Sequence, residues 1–139
     1  MLKFKLSLRN RFFVYDVETD GLLAEATKIH CLSICWRDSN GHLQTKSTTD
    51  YDEMRKFFLN KDITRAGHNI TLYDERVVAK LLGIDTLQSN NQIIDTLALS
   101  WFLYPERNIH GLESWGKDLG VHKVEIKDWK NLSSAEYIN

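Results

Sequence analysis

The chain has 139 residues, a length that suits one domain with a substantial core. Hydrophobic residues make up 42% and charged residues 27%, and the many aromatic side chains exclude an intrinsically disordered chain. The formal net charge is −1, so no overall basic field indicates nucleic acid, although a local basic stripe is enough to bind it.

The cysteines and the start of the chain indicate where the protein works. Cys31 and Cys35 lie four residues apart in one predicted strand, which separates them by more than about 12 Å, too far for a disulfide. Residues 1–10 alternate apolar and polar side chains as a half-buried strand does, unlike a signal peptide. No stretch is long enough to cross a membrane. We therefore expect a cytoplasmic protein with no membrane partner.

The first half of the chain predicts three antiparallel strands and a helix. The apolar run RFFVYDVET, residues 11–19, is typical of a strand covered on both faces. KIHCLSICWRD, residues 28–38, predicts a second strand, and the following SNGH favours a hairpin turn into a third, more polar strand. Three apolar residues of YDEMRKFFL, residues 51–59, then recur at helical spacing.

The second half alternates strands and helices. ITRAGHN predicts a short strand that leads into a helix at about 71–82. QIIDTLALSWFL begins as a strand and continues as a helix capped by Asp95, and GLESWGKDLG predicts a short helix that ends at Gly120. Three antiparallel strands followed by this alternation predict one α/β domain over residues 1–139, with a sheet of mixed direction.

The end of the sequence predicts a helix that is cut short. Ser133 and Glu136 have the spacing of a capping box, which opens a helix, yet the sequence stops about one turn later. Because an isolated turn is not stable by itself, we expect a truncated helix here.

Acidic residues lie at the end of the first predicted strand. Asp16 and Glu18 are two apart, so in a strand they point to the same face and can converge on one cation. The alternative is a solvated strand end with a turn at Asp20-Gly21. A calcium-binding loop is excluded, because its twelfth position is Thr27 and a strand precedes it.

Asp74 is the second indication of a cation site. It lies in the middle of the helix face that must pack on the sheet, a face shared with Val77, Val78, Leu81 and Leu82, whereas Glu75, Arg76 and Lys80 project elsewhere. A carboxylate in that position needs a partner. With Asp16 and Glu18 it would form an all-oxygen site suited to Mg²⁺ or Mn²⁺, and such ions serve phosphate chemistry.

These motifs resemble a known family, the 3′→5′ proofreading exonuclease domain of family A DNA polymerases. DVETDGL, residues 16–22, is similar to the first motif of these DEDD exonucleases, D-x-E-T-D-x-L, and GHNITLYD, residues 67–74, is similar to the second. IDTLALS and HGLESWGKDLG resemble the short-tailed-phage replicative enzymes, so the resemblance runs from about residue 11 to the end. It implies a ribonuclease H-like fold and a bacterial or phage-infected host cell.

The resemblance implies roles for the acids and for one tyrosine. Asp16, Glu18 and Asp74 match ligands of two catalytic divalent cations, Mg²⁺ or Mn²⁺. Tyr137 matches the first residue of the third motif, Y-x-x-x-D, whose tyrosine orients the attacking water. The aspartate of that motif would fall two residues beyond Asn139, so the resemblance implies a domain truncated before its fourth carboxylate.

The resemblance also implies a substrate and partners. Thr19 and Leu22 match residues that hold the 3′-terminal nucleotide, with the leucine against the base, and Asn69 matches a residue near the backbone of the penultimate nucleotide. The expected partners are the 3′ end of single-stranded DNA and the polymerase domain of a full-length protein, and the expected state is a monomer.

Two alternatives to a proofreading deoxyribonuclease stay open at this point. The first is an RNA-trimming 3′→5′ exonuclease of the same superfamily, because no residue separates the two sugars cleanly. The second is a catalytically impaired module that only binds single strands, favoured by the absence of the third-motif aspartate.

Several other residues invite a functional interpretation, and for each we favour a structural one. We expect Trp101, Phe102 and Tyr104 to lie in the core, because their segment is almost wholly apolar. His68 and His110 are expected to be structural or on the surface. We expect surface charges at Lys28, Arg65, Arg76 and Arg107.

Overall fold

A computed structural model of the protein describes residues 11–86, 92–123 and 133. The elements are β1 (Arg11–Thr19), β2 (Ile29–Arg37), β3 (Leu43–Thr48), α1 (Tyr51–Leu59), β4 (Ile63–Gly67), α2 (Asp74–Leu82), β5 (Gln92–Asp95), α3 (Thr96–Leu103) and α4 (Leu112–Asp118). This order is the one that the sequence predicts. The strand predicted over 1–10 lies outside the described residues, as do all but Ser133 of the predicted C-terminal helix. No helix within the described ranges is both long and apolar enough to cross a membrane.

The five strands form one ribonuclease H-like sheet in the order β3-β2-β1-β4-β5. β1, β2 and β3 are antiparallel neighbours, and β2 and β3 are joined by the predicted hairpin, in which Gly41 has a φ of 82°. β4 and β5 run parallel to β1. The prediction of a mixed α/β sheet is therefore confirmed, and β1 lies at the centre of the sheet.

The core lies on one face of the sheet, between β1 and the helices α1 and α2. Tyr15 and Val17 of β1 pack there with the buried side chains of both helices, Met54, Phe58, Val77, Val78 and Leu82. Burial of each large apolar side chain contributes about 1.5–3 kcal/mol. On the other face of β1, Phe12 and Val14 keep 45% and 46% of their surface exposed. Alternation along one strand therefore separates a packed face from an open one.

A buried ion pair inside the core corrects two predictions. Arg65 of β4 and Glu75 of α2, expected at the surface and facing away from the sheet, are both fully buried. Arg65 Nε and Nη2 donate to the two Glu75 carboxylate oxygens at 3.2 and 3.1 Å, and Nη1 donates to the Phe58 carbonyl oxygen at 3.0 Å. The Tyr15 hydroxyl donates to Glu75 Oε1 at 2.5 Å. Burial and the Glu75 charge both raise the pKa of Tyr15.

Of the other basic side chains predicted to be surface charges, two are exposed and one packs against another element. Lys28 and Arg76 are exposed, as predicted. Arg107 instead forms an ion pair with Asp118 at 2.6 Å and lies over the Trp115 ring, 4.0 Å from its centroid. This arginine braces α4, so its packing as well as its charge contributes to the fold.

The prediction of core positions for the aromatic residues of the α3 segment is wrong. Trp101, Phe102 and Tyr104 expose 56%, 81% and 48% of their surfaces, and Ser100 is the buried residue of α3. An almost wholly apolar helix has no polar side, so its sequence does not mark the face that packs. The Ser100 hydroxyl contacts His110 Nδ1 at 2.7 Å and accepts from the Trp115 ring nitrogen at 2.8 Å. His110 is buried by these contacts, which fits the structural role predicted for it.

Candidate active site

The first two acids of the candidate site lie on the open face of β1. Asp16 is exposed, Glu18 is half-buried, and their carboxyl groups hydrogen-bond to each other. They point to the same side because they are two residues apart in a strand. The β1–β2 register shifts between Glu18 and Thr19, so the acids stand where the regular ladder ends.

Asp74 reaches the same place because β4 is shorter than β1. The two strands pair from Arg11 to Val14 of β1, and the β1 backbone then continues without β4 beside it. Asp74 opens α2 at this point and is 4% exposed, and its Oδ1 accepts a hydrogen bond from the Val17 backbone N–H at 3.1 Å. The third acid therefore lies against the residue between Asp16 and Glu18.

Gly67 permits this approach. A Cβ atom at this last residue of β4 would lie 2.8 Å from the Tyr15 carbonyl oxygen and closer still to the Ile70 side chain. Only glycine allows the backbone to pass β1 so closely before it turns towards α2. The position of Asp74 thus depends on the absence of a Cβ atom at Gly67, seven residues earlier.

Burial and like charge dominate the electrostatics of the three acids, and the Lys123 ammonium offsets them only in part. Burial, followed by the charge of Asp16, raises the pKa of Glu18 to about 7 and that of Asp74 to about 7. Burial also raises the pKa of Asp16, although the hydrogen bond from Glu18 and the Lys123 ammonium act in the opposite direction. A bound cation would offset this repulsion.

The donor chemistry fits a hard divalent cation, although the acids do not form a finished centre. Three carboxylates are the oxygen ligands that Mg²⁺ and Mn²⁺ prefer. Within residues 11–86 and 92–123, however, no three histidine, cysteine, aspartate or glutamate side chains stand as a ready metal-binding group. The predicted ligand set of Asp16, Glu18 and Asp74 therefore stays a prediction.

The loop after β1 is held in place beside the acids. The Asp20 carboxylate accepts from the Thr27 and Lys28 backbone N–H groups at 2.9 and 3.0 Å, closing the loop on itself. The hydrogen bonds from the Thr27 hydroxyl and from these amides lower the pKa of Asp20 to about 2. Asp20 is thus the turn residue of the alternative interpretation, whereas Asp16 and Glu18 are not part of that turn.

Tyr73, which precedes α2, and Lys80 of α2 hold this loop from outside. The Tyr73 and Thr19 hydroxyls contact each other, and both lie within hydrogen-bond distance of the Gly21 carbonyl oxygen, at 2.7 and 2.8 Å. Lys80 Nζ donates to three loop carbonyl oxygens, those of Leu23, Ala24 and Ala26, at 2.8–3.0 Å. Leu22, which is 75% exposed, is presented by this braced loop.

Asn69 lies on the loop that joins β4 to α2. It is half-buried, and it is the only non-glycine residue of the described ranges with a positive φ, 62°. Its side-chain Oδ1 is buried and has no hydrogen-bond partner among the described residues. Tyr137 lies outside the described residues.

The candidate residues line one cleft of about 1790 Å³. Its lining includes all six of the described residues predicted for the site, Asp16, Glu18, Thr19, Leu22, Asn69 and Asp74. Its apolar part continues along the open face of the sheet, with Phe12, Val14, Cys35, Ala66 and Ile94. The predicted acids and the residues predicted to contact the nucleotide therefore line one and the same cleft.

Sequence reasoning missed Tyr73, Lys80 and Lys123, all of which touch the loop or line the cleft. Tyr73 could have been identified from the sequence, because it directly precedes the candidate ligand Asp74. The contacts of Lys80 join residues more than fifty positions apart, so no local pattern marks them.

Comparisons with known proteins agree with this fold. No protein-family model matches the chain, and no curated protein matches it. Among solved structures, Brucella melitensis NrnC bound to pGG superposes with a TM-score of 0.65 at 20% identity, covering 92% of this chain and 63% of the other. A product-bound exonuclease I superposes with a TM-score of 0.64 at 14% identity, covering 92% and 42%.

The E. coli exonuclease I complex with a dT13 oligonucleotide gives a TM-score of 0.60 at 14% identity, covering 91% of this chain and 38% of the other. The chain therefore spans about two fifths of the length of the exonuclease I structures. At these identities the likeness establishes the fold.

Proposed function

We propose that the protein is a metal-dependent 3′→5′ exonuclease that hydrolyses the terminal phosphodiester of single-stranded or frayed DNA and releases nucleoside monophosphates. The observation that carries this proposal is that Asp16, Glu18 and Asp74 line one cleft together with Leu22 and Asn69. Support comes from solved structures of the same fold that are exonucleases with bound oligonucleotide or product. The resemblance to proofreading domains further suggests a polymerase as the physiological partner.

The acids of the cleft would hold the cations. Asp16, Glu18 and Asp74 would bind two divalent ions, Mg²⁺ or Mn²⁺, which supply an activated water and neutralise the phosphate. Ion binding would favour the deprotonated forms of Glu18 and Asp74, whose pKa values burial raises to about 7. Tyr137 would orient the water if the third motif operates as in the family.

The strand would be held by groups around the acids. Leu22 is exposed on its braced loop, where its side chain would pack against the terminal base, with Thr19 beside the sugar. Asn69 would contact the backbone one nucleotide further. Lys123 lines the cleft near the carboxylates, where an ammonium group would attract phosphate. Positioning by these contacts supplies much of the rate in such a reaction.

A second candidate substrate is RNA. Brucella melitensis NrnC, the structure with bound pGG, superposes as well as the exonuclease I structures do. We therefore place an RNA-trimming activity second.

The proposal is tested by incubating matched 5′-labelled DNA and RNA oligonucleotides with Mg²⁺ or Mn²⁺. We expect the wild-type chain to shorten the DNA from its 3′ end, Asp16→Ala to abolish the ladder, and a 3′-blocked oligonucleotide to stay intact. Asp50→Ala serves as the matched control, because Asp50 is an acid that only caps α1. Intact DNA and RNA from folded wild-type protein would contradict the exonuclease, and faster RNA shortening would select the second candidate.

A further inference from the structure

We propose that Asp95 is a positioning residue: its carboxylate fixes the loop of residues 68–73, and with it Asn69, in the shape that receives the nucleic acid strand. This inference rests on the proposed function for its substrate. The sequence predicts only a helix cap at Asp95, and the structure shows that the cap is the smaller part of what this side chain does.

The Asp95 carboxylate accepts four hydrogen bonds, and three come from the loop. Oδ1 accepts from the Asn69 backbone N–H at 2.9 Å, and Oδ2 accepts from the Thr71 backbone N–H and hydroxyl at 3.0 and 2.7 Å. The fourth, from the Leu97 N–H to Oδ1 at 2.9 Å, caps α3. Asp95 is only 8% exposed, so water competes little for these bonds.

Thr96, the next residue, contacts the start of the same loop. The Thr96 hydroxyl donates to the Gly67 carbonyl oxygen at 3.1 Å and contacts His68 Nδ1 at 3.0 Å. The corner between β5 and α3 thus holds four of the five consecutive residues Gly67–Thr71. A plain helix cap would not need these contacts.

The loop needs such support because of the conformation of Asn69. A φ of 62° is left-handed, which L-residues other than glycine rarely adopt, although asparagine tolerates it better than most. The Asp95 bond to the Asn69 N–H selects this conformation. It leaves the Asn69 side chain lining the cleft, five residues before Asp74. Removing the Asp95 carboxylate should therefore disorder the loop of residues 68–73, which we propose contacts the nucleic acid, and leave the carboxylates on β1 in place.

Asp50 provides a matched control for the capping role. It caps α1 with an extended backbone like that of Asp95, and its side chain accepts only from Asp52 and Glu53 of its own helix. Serine is a good helix cap but too short to bridge to a separate loop. Asp95→Ser and Asp50→Ser therefore remove similar capping carboxylates, and only the first releases the loop.

The test combines kinetics on a 5′-labelled DNA oligonucleotide with backbone-amide hydrogen exchange on the full chain. We expect Asp95→Ser to raise KM about tenfold, the worth of one net hydrogen bond, with kcat changed less than about threefold. The amides of Asn69 and Thr71 should lose protection. Asp95→Asn retains Oδ1 and should give an intermediate KM, and Asp50→Ser should leave KM unchanged.

The proposal is overturned if Asp95→Ser keeps the wild-type KM after the Asn69 and Thr71 amides lose protection, or if kcat alone falls. It is also overturned if Asp95→Ser leaves both amides protected. Should Asp95→Ser fail to fold, Thr71→Val, which removes one bond to Oδ2, must still raise KM. If wild type neither binds nor cleaves the oligonucleotide, the proposed function is contradicted, and hydrogen exchange alone then decides whether Asp95 orders the loop.

Discussion

Asp74 and Glu75 are neighbours on α2, both buried, yet their surroundings treat the two carboxylates in opposite ways. Glu75 points into the core, where Arg65 pairs with both of its oxygens and the Tyr15 hydroxyl donates to one of them. Asp74 points to the cleft, where one backbone N–H donates to it and the nearby charge of Asp16 is of like sign.

We infer from this difference that Glu75 carries a structural charge and that the charge of Asp74 is available to a ligand. The Glu75 carboxylate is compensated within the protein, so it joins α2 to β1 and β4 and fixes where the helix begins. The Asp74 carboxylate is left with its pKa raised to about 7, because burial is not offset by a cation. Groups perturbed in this way gather at functional sites.

The largest effect is expected when the structural charge of Glu75 is removed. Glu75→Gln leaves Arg65 buried without its counter-ion, and we expect the free energy of unfolding to fall by about 3–5 kcal/mol. Urea denaturation followed by circular dichroism measures this loss. A fall below about 1 kcal/mol would show that the pair is not a principal connection between α2 and the sheet.

The double variant Arg65→Met/Glu75→Leu is the control for that experiment. It removes both charges and replaces them with apolar side chains of similar size, so most of the lost stability should return. The Tyr15 hydroxyl loses its acceptor in this variant, so we expect recovery to be incomplete by about 1 kcal/mol.

Asp74→Asn removes the other charge, and we expect it to affect activity instead of stability. Asparagine retains the oxygen that accepts from the Val17 N–H but cannot supply a full negative charge to a cation. We expect the cleavage rate to fall about a hundredfold or more, and the free energy of unfolding to stay the same or rise. Parallel rate and denaturation measurements on one preparation check both, and a large loss of stability without loss of rate would contradict the account.

Gly67→Ala tests the close approach that brings the two acids to their places. The added Cβ would press on the Tyr15 carbonyl oxygen and on Ile70, and we expect a loss of about 1–3 kcal/mol together with weaker catalysis. Gly111→Ala is the matched control, because Gly111 has a negative φ and no atom within 4 Å of an added Cβ. Equal effects of the two changes, measured by thermal unfolding, would count against a steric role for Gly67.

Lys80→Met should have the smallest effect. The side chain keeps its length but loses three hydrogen bonds to the carbonyl groups of the loop that presents Leu22. Because the ammonium group is exposed, water replaces much of the lost bonding, and we expect less than about 1 kcal/mol of destabilisation with a severalfold rise in KM. An unchanged KM would mean that the loop does not need this brace.

The sequence predicts those features whose cause is local. The apolar run of β1, the asparagine-glycine hairpin and the helical face centred on Asp74 each carry their signal within a few residues. The face predicted for α2 is confirmed for Asp74, Val77, Val78 and Leu82, which are buried, but it omitted Glu75, which is buried as well. The cap at Asp95 is confirmed for the same reason.

Features that depend on distant partners could not be predicted in this way. Arg65 looked like a surface charge because its partner Glu75 lies ten residues away on another element. The bonds from Asp95 to the Asn69 loop cross 24–26 positions. The prediction of core positions for the aromatic residues of α3 failed for another reason. The apolar composition of a helix does not by itself say which of its faces is covered.

The central claim is that the charge of Asp74, unlike that of Glu75, is kept for a cation. Calorimetric titration of Mn²⁺ into wild type, Asp74→Asn and Arg65→Met/Glu75→Leu tests it most directly. We predict that wild type binds, that Asp74→Asn weakens binding about tenfold to a hundredfold, and that the folded double variant binds like wild type. Equal Mn²⁺ affinity in wild type and Asp74→Asn, or an equal loss in the double variant, would contradict the account.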